Sequence, residues 1–159
     1  MIIIVMGIAG SGKSTLGRAL AAALGWVFVE ADDYHPAANV AKMARGEALD
    51  DADRAPWLQR LNEVLAGLDG AGSDAVLACS ALKARYRQRL AAGLGAVRFV
   101  HLVGDAAVVE RRLRGREGHF MPAELLASQS EALELPEDAL PIPLDLPTDR
   151  QVQLVLRSL

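Results

Sequence analysis

Between Gly7 and Ser14 the chain reads Gly-Ile-Ala-Gly-Ser-Gly-Lys-Ser, a G-x-x-x-x-G-K-[ST] word that constrains both a local shape and its surroundings. Loop glycines let successive backbone N–H groups converge on one anion. That works only when a strand delivers the chain from behind and a helix N-terminus follows in front. The flanks meet both conditions. Met1 to Met6 is a short apolar run rich in Ile and Val, suited to a strand buried on both faces. Leu16, Leu20 and Leu24 then recur at helical spacing, and Gly25 ends the run. In this setting Gly7, Ala9, Gly10, Ser11 and Gly12 form a phosphate cradle. Lys13 reaches the β- and γ-phosphates of a nucleotide, and the Ser14 hydroxyl ligates Mg²⁺ with Thr15 behind it.

Length and composition narrow the setting. A chain of 159 residues is enough for a single domain, 1–159, with a real core. The formal net charge of −3 does not suggest a nucleic-acid partner. The apolar start is too short for a membrane span and lacks the basic residues of a signal peptide, and no other run approaches membrane length. Cys79 is the only cysteine, which leaves no disulfide framework and no cysteine-based metal site. A soluble cytoplasmic protein is expected.

Downstream, apolar runs at Trp26–Val29, Ala75–Cys79, Val97–Val103 and Ile142–Leu146 read as strands. Helical patterns separate them: Asn39 to Arg45, a stripe of Trp57, Leu61, Val64, Leu65 and Leu68 capped by Asp51 or Asp53, a basic helix after Lys83, one behind Asp105, one from Pro122, and a last one from Asp149. Pro143 inside the last strand argues for an edge position. Strand and helix alternate throughout, so a five-stranded parallel sheet with helices on both faces is expected. Ligands bind such sheets at the carboxyl ends of the strands. That rim collects the Gly-rich loop, Glu30-Ala31-Asp32-Asp33, Cys79-Ser80-Ala81-Leu82-Lys83, Gly104-Asp105 and Asp145-Leu146-Pro147.

A phosphate loop alone does not separate a kinase from a GTPase or a motor. The chain has neither a D-x-x-G after the third strand nor an N-K-x-D after the fourth, which disfavours a GTPase. Carboxylates at the end of strand two stand beside the loop, where one can accept a proton from an attacking hydroxyl or hold Mg²⁺ through water. Arg111, Arg112, Arg114 and Arg116 cluster around a Gly-containing segment between two helices, where closing arginines can neutralise charge developed in phosphoryl transfer.

In these words the chain resembles the gluconokinases, small P-loop kinases related in fold to shikimate kinase and the nucleoside monophosphate kinases. The matching words are the Met6–Ser14 loop, Ala31-Asp32-Asp33-Tyr34-His35-Pro36, Asn39 with Lys42-Met43, and Gly46 through Leu58. Cys79-Ser80-Ala81-Leu82-Lys83 with Tyr86-Arg87, Arg112 with Arg116 to Phe120, and Gln129 with Glu131 complete the set, in family order from Met1 to about Pro136. The loop identifies only a superfamily; the D-D-x-H-P, D-x-D-R-x-P-W-L and C-S-A-L-K words are far more specific. The resemblance implies a three-layer P-loop kinase fold with a small helical lid at about 111–121. It also implies ATP-dependent phosphorylation of the 6-hydroxyl of D-gluconate, with Mg²⁺, in a homodimer.

It implies roles as well. Asp32 is expected to orient the 6-hydroxyl and accept its proton, with Asp33 as the alternative base and helix capping as the structural alternative for Asp32. Glu30 stands where the family commonly carries Asp, one methylene longer, and would contact Mg²⁺ through water. His35, Lys83, His119 and Gln129 are expected around the substrate, Ser80 beside Lys83, and Arg54 or Arg87 on the gluconate carboxylate, which a planar guanidinium grips in bidentate fashion. Asp53 either orients Arg54 or caps a helix. Lys13, Arg112 and Arg116 would attend the phosphates, Arg112 on the nucleotide and Arg116 in catalysis. Cys79, His101 and Trp57 are expected to be structural, and the loop from Asp145 to Thr148 is expected beside the adenine.

Overall fold

The computed structural model describes residues 1–115 and 125–159. Strand β1 (Ile2–Met6) runs through the centre of the molecule, every side chain buried. Its alternation splits the core in two. Ile3 and Val5 join Leu16, Leu20, Val109, Val152 and Val155 on one face, whereas Ile2, Ile4 and Met6 join Trp57, Leu58, Leu61, Leu65, Tyr86 and Leu90 on the other. Beside it lie β2 (Val27–Glu30), β3 (Ala75–Ala78), β4 (Val97–Val103) and β5 (Leu140–Pro143). The order is β2-β3-β1-β4-β5, and all pairs are parallel.

Helices α1 (Lys13–Leu24), α5 (Ala106–Arg114) and α7 (Thr148–Leu156) supply the first face, with Leu126 of α6 (Leu125–Ala132). Helices α3 (Asp51–Gly70) and α4 (Ala84–Ala91) supply the second. Helix α2 (Ala37–Ala44) follows a 3-10 turn, Ala31–Tyr34, at the end of β2. The three-layer fold expected from the alternation is the fold observed. Among the described residues no helix is long and apolar enough to cross a membrane.

The last strand sits at the sheet edge, as its proline requires, but two residues earlier than the apolar run suggested. Leu144 donates from its N–H to the Val103 carbonyl at 2.8 Å, which sets the parity of bonding to β4. Pro141 and Pro143 take the opposite parity and face the open edge, where a missing N–H costs no ladder bond. The Gln151 amide of α7 then donates to the Pro143 carbonyl at 2.9 Å. The cap of α3 also differs from expectation: it is Asp50, not Asp51 or Asp53. Asp50 Oδ1 accepts from Asp53 N–H at 2.7 Å, and Asp53 Oδ2 accepts from Asp50 N–H at 2.9 Å. This reciprocal pair satisfies two donors at once, which neither predicted cap does alone. The expected lid is described only through Gly115, with residues 111–114 completing α5.

Candidate active site

The loop between β1 and α1 is built as its glycines predict. Gly12 caps α1 with φ 99°, a left-handed conformation that a side chain resists. Gly7 has φ 150°, and a Cβ there would come 2.8 Å from the Ser11 hydroxyl. Lys13 and Ser14 therefore occupy the first turn of α1, and the Lys13 ammonium donates back to the Ile8 carbonyl at 3.0 Å.

A cavity opens on one side of the loop. Lys13, Ser14, Glu30, Asp32, His35, Arg54, Ser80 and Gln129 supply its polar lining, and Met43, Leu49 and Trp57 part of its apolar lining. The register of β2 and β3 beside β1 brings these residues together. Burial raises the Glu30 carboxyl above its ordinary range, opposed first by a hydrogen bond with Ser14 and later by Arg18 and Lys13, while Asp32 adds to the rise. Arg18 Nη2 lies 3.7 Å from Glu30 Oε2. The His35 ring stacks on Trp57 with centroids 4.1 Å apart, and burial, then Arg54, pushes its pKa down to about 4. The Arg54 guanidinium is steered by the Leu49 carbonyl at 2.7 Å and the Tyr86 hydroxyl at 3.4 Å.

A second cavity lies on the other side of the loop, lined by Ser11, Gly12, Thr15, Arg112, Leu146, Thr148 and Gln151. Arg112 Nη2 donates to the Leu144 carbonyl at 3.0 Å, which ties α5 to the chain just after β5. The Ser11 hydroxyl is buried with no hydrogen-bond partner among the described residues. The two cavities share Gly10 and Gly12, so one extended ligand can cross the loop from one to the other.

A family model described as an AAA domain matches residues 2–136. A gluconokinase of Gluconobacter oxydans (strain 621H) is 49% identical over 140 residues, spanning 88% of this chain and 79% of its own. A gluconokinase structure from Sinorhizobium meliloti 1021 superposes with a TM-score of 0.86 at 41% identity, covering 98% of this chain and 89% of that one. The chain belongs to the gluconokinase family. A sugar kinase structure from Janibacter sp. HTCC2649 is also similar, with a TM-score of 0.91 at 43% identity over 98% of this chain and 92% of that one.

Against the gluconokinase pattern, the structure gathers most of the predicted residues and separates some. Lys13, Ser14, Glu30, Asp32, His35, Arg54 and Gln129 share the first cavity, and Thr15 and Arg112 the second. Gln129 is buried, and its Oε1 accepts from the Ala9 N–H at 2.7 Å, so this side chain braces the loop as well as lining the cavity. Arg87 is held apart from these residues. It lines neither cavity, and its Nη1 donates to the carbonyls of Ala81 and Leu82, both at 3.0 Å. Lys83 is likewise outside both cavities. Its ammonium lies 3.2 Å from Asp51 Oδ1, and Asp51 also engages Tyr86 and Arg85. The Tyr86 hydroxyl first, and then Lys83, hold the Asp51 carboxyl below its ordinary range. Arg116 and His119 lie outside the described residues.

Cys79 lines the first cavity at its floor, and burial pushes its thiol up to about 12, which keeps it unreactive. Sequence reasoning gave Asn39 and Asp51 no part in the site. The signal for Asp51 is the cationic, Tyr-containing stretch Lys83-Ala84-Arg85-Tyr86, which needs an anion from elsewhere in the chain.

Glu30 carries a test of its own. Its folded-state pKa is raised, so the folded protein binds this proton more tightly than the unfolded chain does. Stability from this group therefore falls as pH rises from the ordinary glutamate value to the raised one, and at neutral pH the ionised carboxylate is a burden. Glu30→Gln is expected to raise Tm at pH 7 and leave it unchanged at pH 4, read by calorimetry. A lower Tm at pH 7 would contradict the burial argument.

Proposed function

We propose that this protein transfers the γ-phosphoryl group of ATP to the 6-hydroxyl of D-gluconate, forming 6-phosphogluconate and ADP. The observation that carries the reading is one cavity in which the loop lysine, a half-exposed carboxylate and a steered guanidinium face each other: Lys13, Asp32 and Arg54. Asp32 accepts the proton of the 6-hydroxyl as its oxygen attacks phosphorus. Lys13 balances charge on the transferring group. Arg54 lines this cavity and holds the gluconate carboxylate at the far end of the acceptor, whereas Arg87 lies outside the lining with its Nη1 on the Ala81 and Leu82 carbonyls. The nucleotide base occupies the second cavity, against Arg112, Leu146 and Thr148.

The donor set fits Mg²⁺. Ser14 and Glu30 offer hard oxygen atoms, already hydrogen-bonded to each other, beside the phosphate loop. Mg²⁺ bound there would keep phosphate oxygens and water as its remaining ligands. When bound, Mg²⁺ supplies neutralisation of β- and γ-phosphate charge. We further assign Arg116 to the transferring phosphate and His119 to the substrate, place the enzyme in the cytoplasm with its ATP, and take it to be a homodimer.

The test is ADP release from the purified protein with Mg-ATP and a panel of acceptors. D-Gluconate alone among sugar acids, shikimate and nucleoside monophosphates is expected to stimulate release. Equal stimulation by another acid would move the assignment away from gluconate and onto the residues around Arg54.

A further inference from the structure

The word His35-Pro36-x-x-Asn39-x-x-Lys42-Met43 has no task in phosphoryl transfer as described so far. Its spacing places Asn39 and Lys42 on one face of α2, below His35 at the helix entrance. That face is pressed on the start of α3. Lys42 Nζ pairs with Asp53 Oδ2 at 2.7 Å, and the buried Asn39 amide donates from Nδ2 to the Asp53 backbone carbonyl at 2.9 Å. A carbonyl only accepts, so the edge that Asn39 presents there is its NH₂ group.

The same nitrogen lies 3.4 Å from His35 Nδ1. A donor can face only a lone pair, so Nδ1 is the unprotonated nitrogen and the imidazole proton sits on Nε2. The ring is held in plane by its stack on Trp57, 14° from parallel. Trp57 is itself pinned through its indole N–H to the Ala31 carbonyl at 2.8 Å, one residue before Asp32. Nε2 then lies 3.8 Å from Asp32 Oδ1, with the Asp32 side chain half-exposed beside it.

We propose that Asn39 and His35 are positioning residues for Asp32. Asn39 sets the imidazole tautomer so that His35 always offers an N–H, never a lone pair, to the carboxylate that takes the substrate proton. The inference rests on the reading of Asp32 as proton acceptor. It also means that His35 cannot compete for that proton, because its one basic nitrogen faces Asn39. Among the described residues, burial first and then Arg54 keep the ring neutral.

The test is the long-range ¹H–¹⁵N spectrum of the histidine rings in ¹⁵N-labelled full-length protein, with His35 assigned from its loss in His35→Gln. Nδ1 is expected as a pyridine-type nitrogen and Nε2 as a pyrrole-type nitrogen, unchanged between pH 6 and pH 8. A proton on Nδ1, or a doubly protonated ring at pH 7, overturns the proposal; should His35→Gln fail to fold, His101→Gln and His119→Gln assign the other two rings and leave His35 by elimination. Asn39→Asp replaces the donor by an acceptor and is expected to bring a proton to Nδ1. In turnover, His35→Phe is expected to lose about 10- to 100-fold in kcat, while His35→Gln, which keeps an N–H near the ε position, recovers most of it at unchanged KM for ATP. Wild-type kcat in His35→Phe, with activity lost in Asp32→Ala, overturns the positioning role and leaves Asp32 as the base. Full turnover in Asp32→Ala overturns both.

Discussion

Asp32→Ala is expected to lower kcat for gluconate phosphorylation by about 10²–10⁴-fold, the range lost when a general base is removed. ATP affinity is expected to stay within about twofold, since Asp32 lines the first cavity and the groups assigned to the base line the second. Steady-state kinetics with a nucleotide titration separates the two effects. Asp32 is placed for the task by the short turn Ala31–Tyr34, which directs successive side chains after β2 toward different neighbours. Glu30 remains on Ser14, whereas Asp32 Oδ1 lies 3.8 Å from Nε2 of the neighbouring His35 ring. Asp33→Ala is the control: it is outside the cavity lining, and its removal is expected to leave kcat nearly unchanged. Reversal of the two results would make Asp33 the base and displace Asp32 from the reaction.

Arg87→Ala is expected to destabilise the fold by about 2–4 kcal/mol, because two buried carbonyls lose a charged donor together. In a domain of this size that lowers Tm by roughly 4–16 °C. The carbonyls belong to Ala81 and Leu82, and Ala81 has φ 46°, a left-handed conformation that costs an alanine energy. Arg87 thus ties down a strained bend that carries Ser80 into the cavity. The KM for gluconate of the folded Arg87→Ala protein is expected to remain near wild type, whereas Arg54→Ala raises it at least about tenfold through loss of a charged contact to the carboxylate. A large KM change in Arg87→Ala without loss of stability would restore Arg87 to the substrate.

The fold was legible because its signals are local. Ile and Val through β1, the glycines of the phosphate loop and the leucines of α1 each act within a few residues. Pro143 even reported its place at the sheet edge, since a missing N–H is tolerated only where no neighbour needs it. The cap of α3 is Asp50 rather than Asp51 or Asp53: three aspartates stand close together, and only the reciprocal bonding of Asp50 with Asp53 selects among them.

The sequence by itself determined the strand and helix order, the phosphate loop and the carboxylates at the end of β2. Each depends on backbone periodicity or on residues joined directly to a strand end. Only the tertiary structure decided how the cations and the imidazole are used. The Lys83 ammonium, expected near the substrate, lies 3.2 Å from Asp51, 32 residues away in the chain. The Arg87 Nη1 donates to two carbonyls that the left-handed bend at Ala81 turns toward it. His35 became a fixed N–H donor only when α2 docked on α3 and brought Asn39 against its ring. A long or titratable side chain takes its role from whichever partner packing brings within about 3 Å, and sequence spacing does not carry that distance.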